Sequence, residues 1–234
     1  MLIACWSPKG GSGTSVVSVA LGLVLATASN GGALLADLTG DAPAVLGLPE
    51  PGGLGLGDWL SADSDVPDDA LERLEIDVAP RLRLLPTGTS MPETARSGTR
   101  GTALAEALAV DTRSVVADCG AAADGAGLAL AAAAGTSLLV IRPCYLAIRR
   151  ALAAPIRPSG VVLVAEHDRS LGWRDIEAVL HAPVYAIVPV EPAVARAIDA
   201  GLLARRMPRP LTSAMNALVA AVPSLTPARD AKPA

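Results

Sequence analysis

Phenylalanine is absent from the 234-residue sequence, and aromatic side chains as a whole make up 2% of it. A core without large rings has to be filled by Leu, Val, Ile and Ala, whose compact shapes suit helices packed closely on a sheet. Cysteine is almost as scarce: Cys5, Cys119 and Cys144 are an odd set with no CxxC or CxxH spacing. That excludes a disulfide framework and a zinc site, and leaves three small buried hydrophobes. Lysine occurs only at Lys9 and Lys232, so arginine supplies nearly all of the 19 basic side chains. The balance is acidic, with a formal net charge of -4 and a pI near 5.2, which argues against strong binding to a phosphate backbone.

Long apolar runs are missing too, although 51% of the residues are hydrophobic. Spanning a bilayer takes roughly 18 or more consecutive apolar residues. Val16 to Ala28 is too short and is broken by Ser18, and Leu128 to Ile141 is interrupted by Gly135-Thr136-Ser137. The opening Met1-Leu2-Ile3-Ala4-Cys5-Trp6 has neither a basic n-region nor a cleavage site, so a cytoplasmic location is expected. No polar or Pro/Ser-rich linker divides the chain, which reads as one domain over 1–222 followed by a flexible tail over 223–234. His167 and His181 stand apart from any Ser, Cys or carboxylate constellation and read as surface residues.

What is present is an alternation. Apolar strands are expected at Leu2 to Trp6, Ala33 to Ala36, Leu82 to Leu85, Ser114 to Ala117, Ser137 to Ile141, Val161 to Val164 and Val184 to Val188. Helical stretches lie between them: Ser15 to Ala28, Thr102 to Ala109, Asp124 to Ala134, Leu146 to Ala153, Trp173 to Leu180, Pro192 to Ala200 and Leu211 to Val222. Pro43 to Pro80 reads as less regular, with short surface helices at Asp58 to Ser61 and Pro67 to Leu74. Strands that are apolar throughout, rather than alternating, are buried on both faces. The expected fold is therefore α/β, a doubly wound, mostly parallel sheet with helices on both faces, whose ligands bind beyond the carboxyl ends of the strands.

At the first such end stands Lys9-Gly10-Gly11-Ser12-Gly13-Thr14-Ser15. Glycines let successive N–H groups approach phosphate oxygens, and the following helix adds its positive N-terminus. The loop resembles the deviant Walker A motif K-G-G-x-G-K-[ST] of the ParA/MinD superfamily of dimerising P-loop ATPases at six of seven positions. The resemblance implies that Lys9 reaches across a dimer, that Gly10, Gly11, Ser12, Gly13, Thr14 and Ser15 hold phosphates, and that Ser15 binds Mg2+. Thr14 stands where the second lysine is expected. Ala36-Asp37-Leu38-Thr39-Gly40-Asp41 is similar to the family's D-x-D segment, with Asp37 as a catalytic acid and Thr39 in place of the second, Asp41 being a substitute two residues on. Val115-Val116-Ala117-Asp118-Cys119-Gly120 is similar to the Walker B strand, making Asp118 a catalytic residue and Mg2+ ligand. Pro189 to Gly201 resembles the late segment beside the base, bringing Pro189 and Glu191 to the nucleotide. The family's Asn after the sixth strand has no counterpart in Val161 to Glu166. General similarity, including Leu84-Leu85-Pro86-Thr87-Gly88, is to the CpaE/TadZ-like and septum-site-determining branch.

Three functions follow from the resemblance. The first is a pseudo-ATPase or very weak ATPase, a homodimeric scaffold serving a protein partner in a localisation or assembly machine for division, polarity or pili, recruited to membrane or pole through that partner. The second is an ATP-dependent dimerisation switch with ATP and Mg2+ as cofactors; under the first, both can be lost. The third is a DNA-partitioning ATPase, using Arg142, Arg149, Arg150, Arg205, Arg206 and Arg209, which otherwise read as solvated faces. The last helix, with Leu211, Met215, Leu218, Val219 and Val222 at helical spacing and no basic polar face, is expected to pack on the sheet rather than bind a membrane.

Overall fold

The expected apolar runs do become strands, largely buried on both sides except for Val184–Pro189, which lies at the sheet edge and leaves Ile187 exposed. The computed structural model describes residues 1–62, 66–67, 69–89, 100–122, 125–166, 169–222 and 225. Its strands are β1 (Leu2–Ser7), β2 (Ala33–Asp37), β3 (Ile76–Ala79), β4 (Leu82–Leu85), β5 (Ser114–Ala121), β6 (Thr136–Ile141), β7 (Gly160–Ala165) and β8 (Val184–Pro189). They form one sheet in the order β3-β4-β2-β5-β1-β6-β7-β8, parallel throughout except for β3 against β4. From β5 to β6 the chain crosses over β1, so the winding direction reverses at the centre of the sheet. Such reversals open a crevice at the carboxyl edge.

Side chains alternate along β1 to feed two separate cores. Ile3 and Cys5 join one with Leu21 and Leu25 of α1 (Thr14–Ala28) and Met215 and Leu218 of α10 (Arg209–Ala221). Leu2, Ala4 and Trp6 face the other, with Leu60 of α3 (Leu56–Ser61), Leu104 of α5 (Arg100–Ala109), Leu130 of α6 (Gly125–Ala133), Ile148 of α7 (Tyr145–Ala153) and Ile176 of α8 (Trp173–Leu180). Trp6 is fully buried, and its indole Nε1–H donates to Ser137 Oγ at 3.0 Å, which satisfies the one polar atom that so large a ring brings inside. Cys5 and Cys119 are buried as expected, while Cys144 is half-buried at the start of α7.

Besides the two short helices expected there, two further elements occupy the stretch expected to be irregular. The first is α2 (Ala42–Leu46), started by Asp41 with Pro43 in its first turn. The second is β3, an antiparallel edge strand reached through a turn in which Arg81 adopts φ 64. Its Ile76 and Asp77 are exposed, so it has no apolar run to reveal it. An ion-pair cluster holds it instead. Buried Glu75 accepts two bonds from Arg113, at 2.7 and 2.8 Å, and pairs with Arg83 at 3.1 Å. The short α4 (Ala70–Leu74) and α9 (Pro192–Asp199) complete the described helices. No described helix is long and apolar enough to cross a membrane. His167 lies outside the described residues, as does the expected tail apart from Leu225, whose side chain is buried in the α1–α10 core.

Candidate nucleotide site

β1 ends at Ser7, and the glycine loop turns the chain into α1. Gly11 and Gly13 adopt φ 74 and φ 91, the left-handed region that side chains avoid, and a Cβ on Gly10 or Gly11 would meet nothing within 4 Å. The loop is braced from within. Ser12 Oγ donates to the Lys9 carbonyl at 3.0 Å, and Ser7 Oγ lies 2.9 Å from the same carbonyl and 3.2 Å from that of Gly120. No side chain caps α1 and no acidic residue stands in its first turn, so its N-terminal amides remain free to meet an anion.

The loop floors a cleft of about 830 Å³, lined by Gly10 to Val16, Thr39 and Asp41, by Ala44 and Val45 of α2, by Gly120 and Ala121, and by Ile198 to Gly201 after β8. Where α2 ends, Gly47 and Gly201 touch backbone to backbone; a Cβ on Gly47 would fall 1.9 Å from the Gly201 carbonyl oxygen. Neither α2 nor this contact is legible in the sequence as part of the site, the only signal being Pro43 just after a candidate capping acid. The volume is within the range of ligand pockets. Its lining contains the carboxylates Asp41 and Asp199 but no lysine or arginine. Thr14 is buried in the cleft floor where the family's second lysine is expected, and half-buried Lys9 stands outside the lining.

The two expected acids come together, with Thr39 between them. Asp37 closes β2 and is aligned with Asp118, which lies within β5 because that strand runs on to Ala121 rather than ending at the acid, and both side chains are fully buried. The Thr39 hydroxyl lies 2.8 Å from Asp37 Oδ1 and 3.1 Å from Asp118 Oδ2. Asp37 is committed further: it accepts the backbone N–H groups of Thr39 and Gly40 at 2.9 Å each and of Ala42 at 3.1 Å, fastening the turn into α2. Thr87, from the Leu84 to Gly88 segment, ties the Asp37 carbonyl at 2.7 Å. Burial pushes the Asp37 carboxyl above its ordinary range, against the pull of these N–H and O–H donors.

Asp118 is different in degree. Burial, with the Asp37 charge adding to it, pushes its pKa up to about 7, although the Ser15 hydroxyl, the Gly120 N–H and the Thr39 hydroxyl all favour the ionised form. The Ser15 hydroxyl also lies 3.2 Å from Asp41 Oδ2, which places Asp41 at the mouth of the loop. Gly120 has φ 57, and a Cβ there would strike Thr39 Cγ2 at 2.6 Å; that glycine makes room for the threonine.

Pro189 and Glu191 lie beside the cleft rather than in it. They line a smaller adjoining cavity of about 160 Å³ with Val16, Val164, Val188 and Ile198, which shares Gly13 with the phosphate loop. Glu166, at the end of β7, is held by Arg142 at 2.8 Å and by Arg169, and these charges keep its carboxyl below the ordinary range. Arg142 is therefore an ion-paired residue at the cavity wall.

A mostly parallel sheet wound in this order, with a glycine loop after its central strand β1 and buried acids on β2 and β5, matches the fold of the ParA/MinD-type P-loop ATPases. The chain is 19% identical to a ParA family ATPase from Chlorobium tepidum TLS, with TM-score 0.74 over 92% of this chain and 95% of the other. It is 19% identical to the septum site-determining protein MinD from Pyrococcus horikoshii OT3 complexed with Mg-ADP, with TM-score 0.73 over 93% of each chain. It is likewise 19% identical to a chain of the MinC:MinD cell division protein complex from Aquifex aeolicus, with TM-score 0.67 over 93% of each chain. No sequence model of a known family and no curated protein sequence matches the chain.

Proposed function

We propose that this chain belongs to the ParA/MinD superfamily as a pseudo-ATPase, a homodimeric positioning scaffold that keeps a nucleotide-shaped cleft but not the charges for hydrolysis. The observation that carries the reading is the make-up of that cleft. Phosphoryl transfer depends on positioning and on positive charge around the transferred group. Here Thr14 replaces the in-subunit cation, Thr39 ties up both buried acids, and the remaining charges in the lining are negative.

The backbone cradle from Gly10 to Ser15 still suits phosphate oxygens: two of its glycines adopt positive φ, and no side chain fills the space over Gly10 and Gly11. Ser15 and Asp118 are the groups that would hold Mg2+, whose charge would offset part of the missing lysine. Asp118 would have to ionise first, against its burial. Pro189 and Glu191 would stand beside the base. The site residues thus bind and orient a nucleotide, and none is placed to drive its cleavage. The partner belongs to a localisation or assembly machine, as MinC is joined to MinD in the Aquifex complex, and recruitment through it would bring a cytoplasmic protein to membrane or pole.

A steady-state phosphate-release assay with ATP and Mg2+ tests this. No turnover above background is expected; turnover that Asp118→Ala abolishes would overturn the reading. The second reading, an ATP-dependent switch, is favoured by one feature, the Lys9 side chain left half-exposed at the mouth of an intact cradle. DNA partitioning is disfavoured by the acidic net charge.

A further inference from the structure

From Pro192 to Val222 the chain carries four arginines, Arg196, Arg205, Arg206 and Arg209, against a single acid, Asp199. Asp199 faces the nucleotide cleft. Three of the arginines do not line that cleft. Arg196, Arg206 and Arg209 line a separate groove of about 640 Å³ between α9 and the start of α10, with Ala193, Ala197, Leu202, Met207, Pro208 and Pro210.

All four guanidinium groups are exposed, and none has an ion-pair or hydrogen-bond partner among the described residues. Five other arginines, Arg73, Arg83, Arg113, Arg142 and Arg169, each sit against a carboxylate, whereas Arg149 and Arg150 on α7 are exposed without an ion pair but line no comparable groove among those described. Like charges gathered around one concavity repel unless an anion is brought to them. Guanidinium is suited to that task, since its planar fork binds a carboxylate through two parallel bonds.

The lining also decides what kind of anion fits. Leu202 is 41% exposed, and Met207 with two prolines supplies further apolar wall. Duplex DNA would meet the arginines with phosphates and leave this apolar wall uncovered. A peptide that alternates acidic and apolar side chains answers both halves of the groove. We infer that this groove docks an acidic, apolar-studded segment of a partner protein. The partner left open by the scaffold reading thereby gains a chemistry. The inference does not depend on nucleotide, because the groove and the cleft share no lining residue.

The full-length protein without nucleotide is titrated, by fluorescence polarisation, into a labelled twelve-residue peptide of alternating Glu and Leu. Its counterpart with Gln for Glu and a labelled 20-base-pair duplex DNA are run in parallel. The expected result is binding of the Glu peptide at least about tenfold tighter than the Gln peptide, weakened by salt, and lost by about tenfold or more in Arg206→Glu and Arg209→Glu. Thermal melting confirms that each variant is folded. Leu202→Ser, which leaves every charge in place, should weaken the Glu peptide as well. Equal binding of the two peptides, or indifference to both charge reversals, overturns the inference. So does duplex DNA that binds more tightly than the Glu peptide through the same arginines, which would make the groove a nucleic-acid surface. The Glu and Gln comparison on the unaltered protein decides the matter even if a variant misfolds.

Discussion

Thr14 and Thr39 are small hydroxyl residues at two positions where charge would matter most. Thr14→Lys restores the in-subunit cation beside a phosphate cradle whose backbone is already formed. It is expected to tighten ATP binding by about tenfold or more, as charge-assisted bonds to phosphate generally contribute a kcal/mol or two, and a calorimetric titration with and without Mg2+ measures it. Unchanged affinity would mean that the missing charge does not limit the site. Asp118 makes a separate prediction about stability. Its folded pKa of about 7 lies above the ordinary aspartate value of 3.8, so the native state retains a proton that the unfolded chain releases. The stabilisation is complete below about pH 4 and is lost as pH rises through about 7. Asp118→Asn, neutral at every pH, should therefore be more stable than the parent at pH 8, by on the order of 3 kcal/mol. The difference should shrink towards pH 4, and melting curves across that range check it.

Among the elements, the β3–β4 hairpin is the one held chiefly by charge. Glu75 has a side chain only 3% exposed and receives Arg113 and Arg83 together. Taking away the Glu75 charge leaves Arg113 with Asp111 and Arg83 with the exposed Asp77 as their remaining partners. Glu75→Gln is expected to cost about 2 to 4 kcal/mol in urea unfolding, and to loosen hydrogen exchange over Ile76 to Leu85 before the rest of the sheet. The same hairpin shows why parts of the fold were hidden. Strands β1, β2 and β4 to β8 announce themselves as mainly apolar runs, broken in β4 by Arg83, because all but the edge strand β8 are largely buried on both faces and have little room for polar residues. Ile76–Ala79 sits at the sheet edge with half its side chains in water, so nothing in its composition separates it from a loop. Helix α2, at five residues, is too short to show a period and depends on Asp37 and Pro43 to begin.

For the whole molecule, a symmetric homodimer through the face carrying the glycine loop is the expected assembly. Lys9, half-exposed at that face and outside the cleft lining, is free to meet an acid of a second copy, with Asp41 and Glu191 as candidates. Sedimentation of the parent and of Lys9→Ala, each with and without ATP, separates the readings. A dimer in all conditions for the parent, weakened by Lys9→Ala, supports the scaffold; one appearing only with ATP supports the switch. A strict monomer throughout would refute both.

The local sequence by itself determined the layered α/β architecture, the glycine loop at the end of the first strand and the acids Asp37 and Asp118 carried by the second and fifth strands. These follow from hydrophobic runs and turn chemistry, which act over a few residues and leave their marks in composition. Only the tertiary structure decided what the acids do. Asp37 and Asp118 are 81 positions apart in the chain, and nothing along it indicates that Thr39 would lie between them or that Gly120 would leave the space. The direction of Asp41 after a flexible glycine, the backbone contact of Gly47 with Gly201, and the division of Asp199 and Arg196 between two separate cavities were settled in the same way. Each depends on which strands become neighbours, and that is fixed by the packing of the two cores rather than by any local run of residues.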